Sequence, residues 1–297
     1  MVSLNIKLPE NFLDEEIRDD YVVSSQMKQV WAVELDLLNK ILEVCKKYNI
    51  KIIASGGTLL GAVRHKGFIP WDDDMDMGML REDYERFIEI APKELKPEYF
   101  LQTWKTDKSY PYAFAKIRKK GTVFIEAVSQ KTNAHNEIFV DVFPYDIYPD
   151  DETVRTKLTK KIMLLKYSLW MKDGMTPWLR HKSVLDRLLV KAKYVPHYFY
   201  ALTHSRDAMI AEYEKLMPMH NAETSKYYVE QSGGTPFGKW IIPTECFKDF
   251  IEVKFEDTMF LVPEKYDLYL KTVYGDYMQL PPVEKRGNWH QIVEVKV

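Results

Sequence analysis

The sequence predicts an α/β (α+β) fold in which a small mixed sheet, flanked by helices, positions the functional residues. Over the first 150 residues, short strand-like segments alternate with segments of helical periodicity. The pattern then becomes helical through residues 152–218, with breaks near Gly174-Met175-Thr176-Pro177 and at Pro196, and two strand-like segments return before residue 263. We therefore expect a core over residues 1–150, an added helical and basic region over 151–235, and C-terminal strands and a helix over 236–297 that return to the core.

The helices are predicted from apolar residues at helical spacing and from capping signals. Residues 25–49 form the longest such segment, and Ser24 or Ser25 caps its start. A C-terminal helix ends at Gly275, a residue suited to the C-cap. This C-terminal helix covers residues 264–274, and other short helices are expected over residues 58–65 and 81–95.

The strands are predicted from short runs of β-branched and aromatic residues. Lys120-Gly121 indicates a hairpin turn between the strands that flank it. The predicted strands cover residues 51–54, 74–77, 99–104, 114–118, 122–126, 138–143, 250–255 and 258–262.

Composition restricts the class of protein. The chain has 297 residues, of which 46% are hydrophobic and 13% aromatic, as expected of a globular protein. A net charge of −2 argues against a nucleic-acid partner. Cys45 and Cys246 match no metal spacing and no disulfide framework, which fits a reducing compartment. Because the sequence has neither a signal-peptide pattern nor about 20 consecutive apolar residues, we expect a cytoplasmic protein.

The charges are distributed unevenly along the chain. Residues 155–206 contain twelve Lys or Arg and two Asp, a net charge of +10. Tyrosines and tryptophans are interleaved with these basic residues, a mixture suited to the headgroups of an anionic membrane. We expect peripheral contact with the inner face of such a membrane; a solvated helical face is the alternative.

The most informative segment is the acidic run Asp72-Asp73-Asp74-Met75-Asp76. Carboxylates this close together repel one another unless a cation balances them. Asp74 and Asp76 alternate with methionines, so on a strand both carboxylates point to one face and can bind one hard metal ion. Asp141, within an apolar strand, is the candidate third ligand.

A calcium loop is the alternative reading of the acidic run. Asp72, Asp74, Asp76 and Asp83 fall at positions 1, 3, 5 and 12 of that loop. The template requires glycine at position 6, however, and Met77 stands there, so a magnesium site is favoured.

A glycine turn precedes the acidic run. Gly56 and Gly57 let the backbone approach a ligand, and a helix beginning near Thr58 favours an anion at its N-terminus. Arg64, His65 and Lys66 follow on that helix and are candidates for phosphate binding, although a solvated helix end explains His65 and Lys66 equally well.

Three segments together resemble the LicD family of the nucleotidyltransferase superfamily. The first runs from Gly57-Thr58-Leu59-Leu60-Gly61 into Ile69-Pro70-Trp71-Asp72-Asp73-Asp74, and the second is Phe139-Val140-Asp141-Val142-Phe143-Pro144. The third is Tyr274-Gly275-Asp276-Tyr277-Met278 with Leu280-Pro281-Pro282. Seventeen positions separate Gly57 from Asp74, an insertion relative to the superfamily that is typical of LicD-like proteins.

The resemblance implies magnesium-dependent transfer of phosphocholine from CDP-choline to a cell-surface glycan precursor, of teichoic acid type or lipid-linked. It implies that Asp74, Asp76 and Asp141 bind one or two Mg²⁺ ions, with Mn²⁺ as a substitute, and act as the catalytic residues. The alternatives are transfer of another nucleotide-linked phosphoalcohol or of a nucleotidyl group, or a non-catalytic choline- or metal-binding protein at the membrane.

The remaining candidates would bind the substrate. Lys116 and Arg118 alternate on one predicted strand and are candidates to clamp phosphate oxygens; an exposed strand face is the alternative. Choline needs aromatic side chains around its ammonium group, and Trp71 is the nearest aromatic residue to the acidic run. Arg286 and His290 follow the C-terminal motif and would close over the site.

Overall fold

The computed structural model describes residues 2–181, 183–233, 240–287 and 290–297. The helices are α1 (Ser25–Tyr48), α2 (Gly56–Arg64), α3 (Arg81–Glu94), α4 (Glu152–Lys172), α5 (Val184–Lys193), α6 (Val195–Thr203), α7 (Arg206–Leu216) and α8 (Tyr266–Tyr274). The strands are β1 (Glu16–Arg18), β2 (Tyr21–Val23), β3 (Ile53–Ala54), β4 (Asp76–Leu80), β5 (Tyr99–Gln102), β6 (Ala115–Lys119), β7 (Val123–Glu126), β8 (Phe139–Tyr148), β9 (Tyr227–Val229), β10 (Ile241–Pro243), β11 (Phe250–Phe255), β12 (Thr258–Pro263) and β13 (Ile292–Lys296).

The central sheet is mixed and is organised around β8. This strand pairs in parallel with β4 and antiparallel with β6 and β9. Strand β3 adds to β4, β5 adds to β6, and β10 adds to β9. Helices α1 and α3 pack against β8. The predicted α/β (α+β) class with a small mixed sheet is therefore confirmed.

Helix α1 forms as its sequence pattern predicts. Ser24 Oγ accepts a hydrogen bond from the backbone N–H of Met27, and Asn49 ends the helix in the left-handed conformation. The apolar stripe is buried, and Trp31 stacks on Phe68 with ring centroids 4.5 Å apart. This helix supplies one wall of the core beneath the sheet.

The predicted hairpin at Lys120-Gly121 is wrong. Strand β6 pairs with β5 and β8, whereas β7 pairs antiparallel with β13 near the C-terminus. Gly121 has a φ of +89°, and Thr122 Oγ1 donates to the carbonyl of Lys119 while accepting from the N–H of Ile138. The turn therefore directs the chain away from β6. Strand β7 pairs instead with β13, which lies about 170 residues later in the sequence.

The helical region after residue 150 breaks where the sequence predicts. Helix α4 ends at Lys172, a 3-10 helix spans Pro177–Arg180, and Pro196 lies in the first turn of α6. Helices α4 and α7 pack together with Trp104 and Tyr110 in a second apolar cluster. Strands β9 and β10 then rejoin the central sheet. The predicted boundaries at residues 150 and 235 remain predictions.

The structure also contains strands that the sequence did not reveal. They are β1, β2, β9, β10 and β13, which are three to five residues long and show no clear alternation. Strands β1 and β2 pair with each other, whereas β9 and β13 pair with β8 and β7, which are distant in sequence, so local patterning could not specify the latter pairings.

A buried ion pair ties α1 to the sheet. Lys119 Nζ lies 2.7 Å from Asp36 Oδ2, and both side chains are almost completely buried. Tyr99 Oη donates to the same oxygen over 3.0 Å, and the backbone N–H of Asn5 donates to Oδ1 over 2.5 Å. The carboxylate of Asp36 is thus neutralised and hydrogen-bonded on both oxygens.

Removing one partner of this pair should strongly destabilise the fold. We expect Asp36→Ala to lower the free energy of unfolding by about 3–5 kcal/mol, because it leaves the Lys119 ammonium buried without its counter-charge. Glu43→Ala, which removes an exposed partner of Lys40 on the same helix, should change it by less than about 0.5 kcal/mol. Urea unfolding measures both; equal losses would contradict the assignment of Asp36 as a structural anchor.

Candidate active site

A cleft of about 990 Å³ opens at the start of β4 and beside β8. Its floor is acidic, and aromatic residues and the segment after α8 form its walls. The residues that line it include Gly57, Arg64, Trp71, Asp72, Asp74, Asp76, Tyr112, Phe114, Lys116, Glu126, Asp141, Phe143, Arg180, Trp240, Tyr274, Asp276, Tyr277, Gln279, Pro281, Val283, Arg286 and His290.

The three predicted metal ligands lie together on the floor of the cleft. In the parallel pairing of β4 with β8, Asp76 is directly opposite Asp141. The segment before β4 is held to β8 because the N–H of Asp141 donates to the carbonyl of Met75 over 2.9 Å. Carboxylate oxygens of Asp74, Asp76 and Asp141 lie within 4.8 Å of one another. The strand begins at Asp76 rather than at Asp74 as expected, so Asp74 reaches the site from the preceding loop.

The N-terminus of α2 fits closely against these carboxylates. A Cβ at residue 56 would lie 2.9 Å from Asp76 Oδ2, and one at residue 57 would lie 2.6 Å from Asp72 Oδ2. Thr58 Oγ1 accepts a hydrogen bond of 2.7 Å from the N–H of Asp76. Gly57 lines the cleft, whereas Gly56 and Thr58 lie behind the aspartates. The glycine turn therefore brings a helix N-terminus, which carries partial positive charge, against the acidic floor.

The acidic floor has strongly perturbed protonation. Burial, followed by repulsion from neighbouring carboxylates, raises the pKa values of Asp72 and Asp76 well above the ordinary range. Burial also raises the pKa of Asp141 to about 6, although Lys116 opposes the shift. Without a bound cation, therefore, the folded state holds these groups as anions only at a cost in stability.

Glu34 of α1 is an additional acidic residue that the sequence analysis did not identify. Its side chain is buried, and its Oε2 has no hydrogen-bond partner among the described residues. Burial and then the negative charge of Asp74 raise the pKa of Glu34 well above its ordinary value. A single glutamate on α1, which also buries Lys28 and Asp36, gave no motif that would connect it to the site.

Lys116 is the cation nearest to the predicted metal ligands among the described residues. Its Nζ donates to Asp141 Oδ2 over 3.1 Å and lies 2.8 Å from Oδ1. The contact with Oδ1 lacks hydrogen-bond geometry, so this buried oxygen retains its capacity to accept a bond. The ammonium also lies 3.3 Å from the ring centroid of Phe139, which fixes its position on the floor.

His290 joins the C-terminal segment to the acidic loop. Its Nδ1 lies 2.6 Å from Asp73 Oδ1, and its Nε2 lies 3.4 Å from Asp74 Oδ2. Burial alone would lower the pKa of His290, but Asp74 and Asp73 raise it well above the ordinary value. The carboxylates of Asp73 and Asp74 therefore favour the positively charged form of this imidazole.

Arg64 and Arg286 hold the outer wall of the cleft. Arg64 Nη1 donates to the carbonyl of Tyr277 over 2.7 Å, which fastens α2 to the C-terminal motif. Arg286 lies over the ring of Trp71 at 4.9 Å and donates to the carbonyl of Asp19 over 2.8 Å.

His65 packs edge-on against Trp71, and burial lowers the pKa of His65 to about 4. His65 does not line the cleft, so the structure gives it a packing role.

Arg118 also lies outside the lining of the cleft. It is buried and donates to Gln102 Oε1 and to the carbonyl of Glu137. The expected alternation with Lys116 is present on β6, yet only Lys116 reaches the acidic floor. The predicted contact of Arg118 with phosphate therefore gains no support from its position.

The calcium-loop alternative does not fit the geometry. Asp83, its twelfth position, lies in the first turn of α3 and pairs with Arg86 over 3.1 Å. The groups of described residues that can surround an ion are Asp73, Asp74 and His290, and Asp74, Asp76 and Asp141. Because Asp83 belongs to neither group, the acidic run does not form that loop.

Comparison with known proteins identifies the family. A family model described as "LicD/FKTN/FKRP, nucleotidyltransferase domain" matches residues 49–177. The lipopolysaccharide cholinephosphotransferase LicD of Haemophilus influenzae is 31% identical over 265 residues, which cover 89% of this chain and 96% of that protein. The chain belongs to the LicD family. It is accordingly an enzyme, a transferase, and the matched region contains the three aspartates of the cleft floor.

Other relatives match a smaller part of this LicD family chain. An uncharacterized protein of Rickettsia prowazekii is 36% identical over 135 residues, 45% of this chain and 47% of that protein. An uncharacterized protein of Rickettsia typhi is 34% identical over 124 residues, 42% of this chain and 38% of that protein.

Neutralising one floor carboxylate should stabilise the metal-free protein. We expect Asp76→Asn to raise the melting temperature in chelator by a few degrees, on the order of the 2–4 °C that about 1 kcal/mol produces in domains of this size. Mg²⁺ should then raise the melting temperature of the wild type more than that of the variant.

Differential scanning fluorimetry measures these melting temperatures, and repeating it across pH tests the repulsion between the floor carboxylates. Because folding raises the pKa of Asp141 from 3.8 to about 6, wild-type stability in chelator should fall as the pH rises through that interval. Asp257→Asn, an exposed turn position, is the matched control and should change neither response. A lower melting temperature for Asp76→Asn in chelator would contradict the repulsion described here.

Proposed function

We propose that this LicD family enzyme transfers phosphocholine from CDP-choline to a hydroxyl group of a cell-surface glycan precursor, with Mg²⁺ or Mn²⁺ bound at Asp74, Asp76 and Asp141. The main support is the group of three carboxylates within 4.8 Å on the floor of a large cleft. The name of the Haemophilus influenzae relative supports phosphocholine as the transferred group and lipopolysaccharide as one acceptor. A lipid-linked or teichoic acid-type glycan would offer the same hydroxyl chemistry.

The floor of the cleft fits one or two divalent cations. All donors of the aspartate group are carboxylate oxygens, the type that Mg²⁺ prefers. Asp141 Oδ1 is buried and, apart from its 2.8 Å ion-pair contact with Lys116 Nζ, has no hydrogen-bond partner among the described residues, as expected of an oxygen that a cation would engage. When bound, such an ion would neutralise the diphosphate and stabilise the oxygen that leaves with CMP.

The residues of the chain complete the reaction. Lys116 lies beside Asp141 and would hold a phosphate oxygen as the negative charge shifts towards the leaving group. The acceptor hydroxyl oxygen attacks the phosphorus of phosphocholine, the bond to CMP breaks, and the hydroxyl proton passes to Asp141.

Trp240 and Tyr274 form the corner that we assign to the choline ammonium. Their rings are nearly perpendicular, at 84°, with centroids 6.1 Å apart. The Trp240 ring lies close to the acidic floor. A Cβ added at Gly56 would lie 3.3 Å from Trp240 Cη2 and 2.9 Å from Asp76 Oδ2. Since only two carbons separate the phosphate ester oxygen of choline from its nitrogen, an ammonium in this corner leaves the phosphate at the acidic floor.

Three other aromatic residues in the cleft already lie beside a cation of the chain. Lys116 Nζ lies 5.3 Å from the ring of Phe114 and 5.8 Å from that of Tyr112, so a second positive charge there would be repelled. Arg286 covers the ring of Trp71, the aromatic residue that the sequence favoured.

Binding of the donor tests the proposed reaction. We expect calorimetry to detect magnesium-dependent binding of CDP-choline, and Asp74→Ala to weaken it at least tenfold, because it removes a ligand shared by both acidic groups. Asp83→Ala, an acidic residue paired on α3, is the control and should bind as the wild type does. No binding of CDP-choline would favour another nucleotide-linked alcohol, and binding indifferent to Asp74 and metal would refute the proposed site.

The aromatic corner predicts selectivity for a charged headgroup. We expect Trp240→Leu to weaken CDP-choline binding by roughly 3- to 30-fold, the range of about 0.5–2 kcal/mol for a cation over an aromatic ring. Binding of CDP-glycerol, whose headgroup is uncharged, should not change, and Trp240→Phe should retain most of the affinity for CDP-choline. If both ligands lose affinity equally, Trp240 shapes the cleft without recognising the ammonium group.

A further inference from the structure

Helix α5 exposes its apolar side to solvent. Val184, Leu185, Leu188 and Leu189 recur at helical spacing and are between 56% and 70% exposed. The helix buries none of its residues. An amphipathic helix of a globular protein normally turns such a stripe towards the core, so this stripe is suited to contact something outside the chain.

Helix α6, which contacts α5, continues the exposed apolar surface. Its buried residue, Ala201, faces the protein, and α6 packs against α4. Apolar residues at spacing three and four remain exposed by 48–62%: they are Val195, Tyr198, Phe199 and Leu202. We call these residues, with the stripe of α5, the α5–α6 surface. Large exposed apolar patches of this kind mark interaction sites.

Basic residues accompany the apolar ones on these helices. Lys191 and Lys193 are exposed in the last turn of α5, and Arg180 is exposed just before it. Asp186 is the single acidic residue in the sequence between Arg180 and His204. The surface therefore combines leucine and aromatic side chains with an excess of positive charge.

The predicted basic segment is not one uniform face, however. Lys166 is buried and donates to the carbonyl of Gly233 over 2.8 Å. Lys161 pairs with Glu212, and Arg206 pairs with Asp173. Lys157 and Lys160 on α4 remain exposed, as do Lys191 and Lys193 on α5, so exposed positive charge is present on both helices.

We propose that the α5–α6 surface binds the interface of an anionic lipid bilayer, with its apolar side chains among the lipids and Lys191 and Lys193 at the headgroups. Apolar burial and attraction to anionic lipids are the two contributions that bind amphipathic helices in the plane of a membrane. Within the described ranges, none of the helices has the length and hydropathy needed to cross a bilayer. The proposal does not depend on which group the enzyme transfers.

The α5–α6 surface is connected to one side of the cleft, so contact of this surface with a bilayer would orient the cleft. Arg180 lines the cleft, and the 3-10 helix that ends at this residue contacts α5. The Arg180 carbonyl accepts from Gln291 Nε2 over 2.6 Å, close in the chain to His290 at the acidic floor. A protein held to a bilayer by α5 and α6 would thus present the Arg180 side of its cleft near acceptors carried on lipid.

A second copy of this chain is a less suitable partner for the surface. A two-fold symmetric interface would place the same basic helices against each other. The segment 155–206 carries a net charge of +10, so this contact would bring like charges together. An anionic bilayer instead supplies the complementary charge.

Vesicle sedimentation of the full chain tests the proposal. We expect binding to vesicles of phosphatidylcholine with phosphatidylglycerol, and much weaker binding to phosphatidylcholine alone. Leu188→Ser with Phe199→Ser, one exposed residue from each helix, should lower the partition coefficient at least tenfold by removing apolar area. Lys191→Glu with Lys193→Glu should cause a loss of similar size that depends on the anionic lipid.

The control variant is Ile17→Ser with Val22→Ser, which removes two comparably exposed apolar residues from the β1–β2 pair. It should sediment with vesicles as the wild type does. Wild-type protein that ignores anionic vesicles would overturn the proposal, as would equal losses for the control and the α5–α6 variants. A wild-type dimer in solution that Leu188→Ser with Phe199→Ser converts to a monomer would assign the surface to a second copy instead.

Discussion

The parallel pairing of β4 with β8 places Asp76 beside Asp141 in a buried setting, and the surrounding structure accommodates the resulting repulsion. The chain supplies some positive charge of its own: Lys116 contacts Asp141, and the protonated imidazole of His290 contacts Asp73 and Asp74. These cations are insufficient, because the pKa values of the floor carboxylates are still raised. This unbalanced charge makes the floor of the cleft suited to hold a metal ion.

The crowding of these carboxylates also explains residues that have a structural role. Gly56 and Gly57 are required because any side chain would collide with the carboxylates of Asp76 and Asp72. Beneath them, the hydroxyls of Ser55, Tyr145 and Tyr269 form a closed, buried set of hydrogen bonds, with Ser55 and Tyr145 2.7 Å apart. This network fixes α2 and α8 against the sheet, so the helix N-terminus keeps its position as charge on the floor changes.

The C-terminal segment is part of the site although it is distant in sequence. Arg64 binds the backbone at Tyr277, and His290 reaches the acidic loop more than 200 residues earlier. These contacts make one wall of the cleft from residues that follow α8. Helices α5 and α6, in contrast, leave apolar residues exposed to solvent.

The sequence by itself determined the elements and residues whose signals are local. The cap and stripe of α1, the break near Pro177, the acidic run and Asp141 can all be recognised within a few neighbouring residues, and the motifs indicated the family. Tertiary structure decided what depends on distant partners: β7 pairs with β13 rather than β6, Lys116 reaches the floor while Arg118 does not, and Glu34 lies near the aspartates. The physical reason is that capping and periodicity act over one or two turns, whereas strand pairing, burial and charge balance depend on which surfaces meet after the chain has folded.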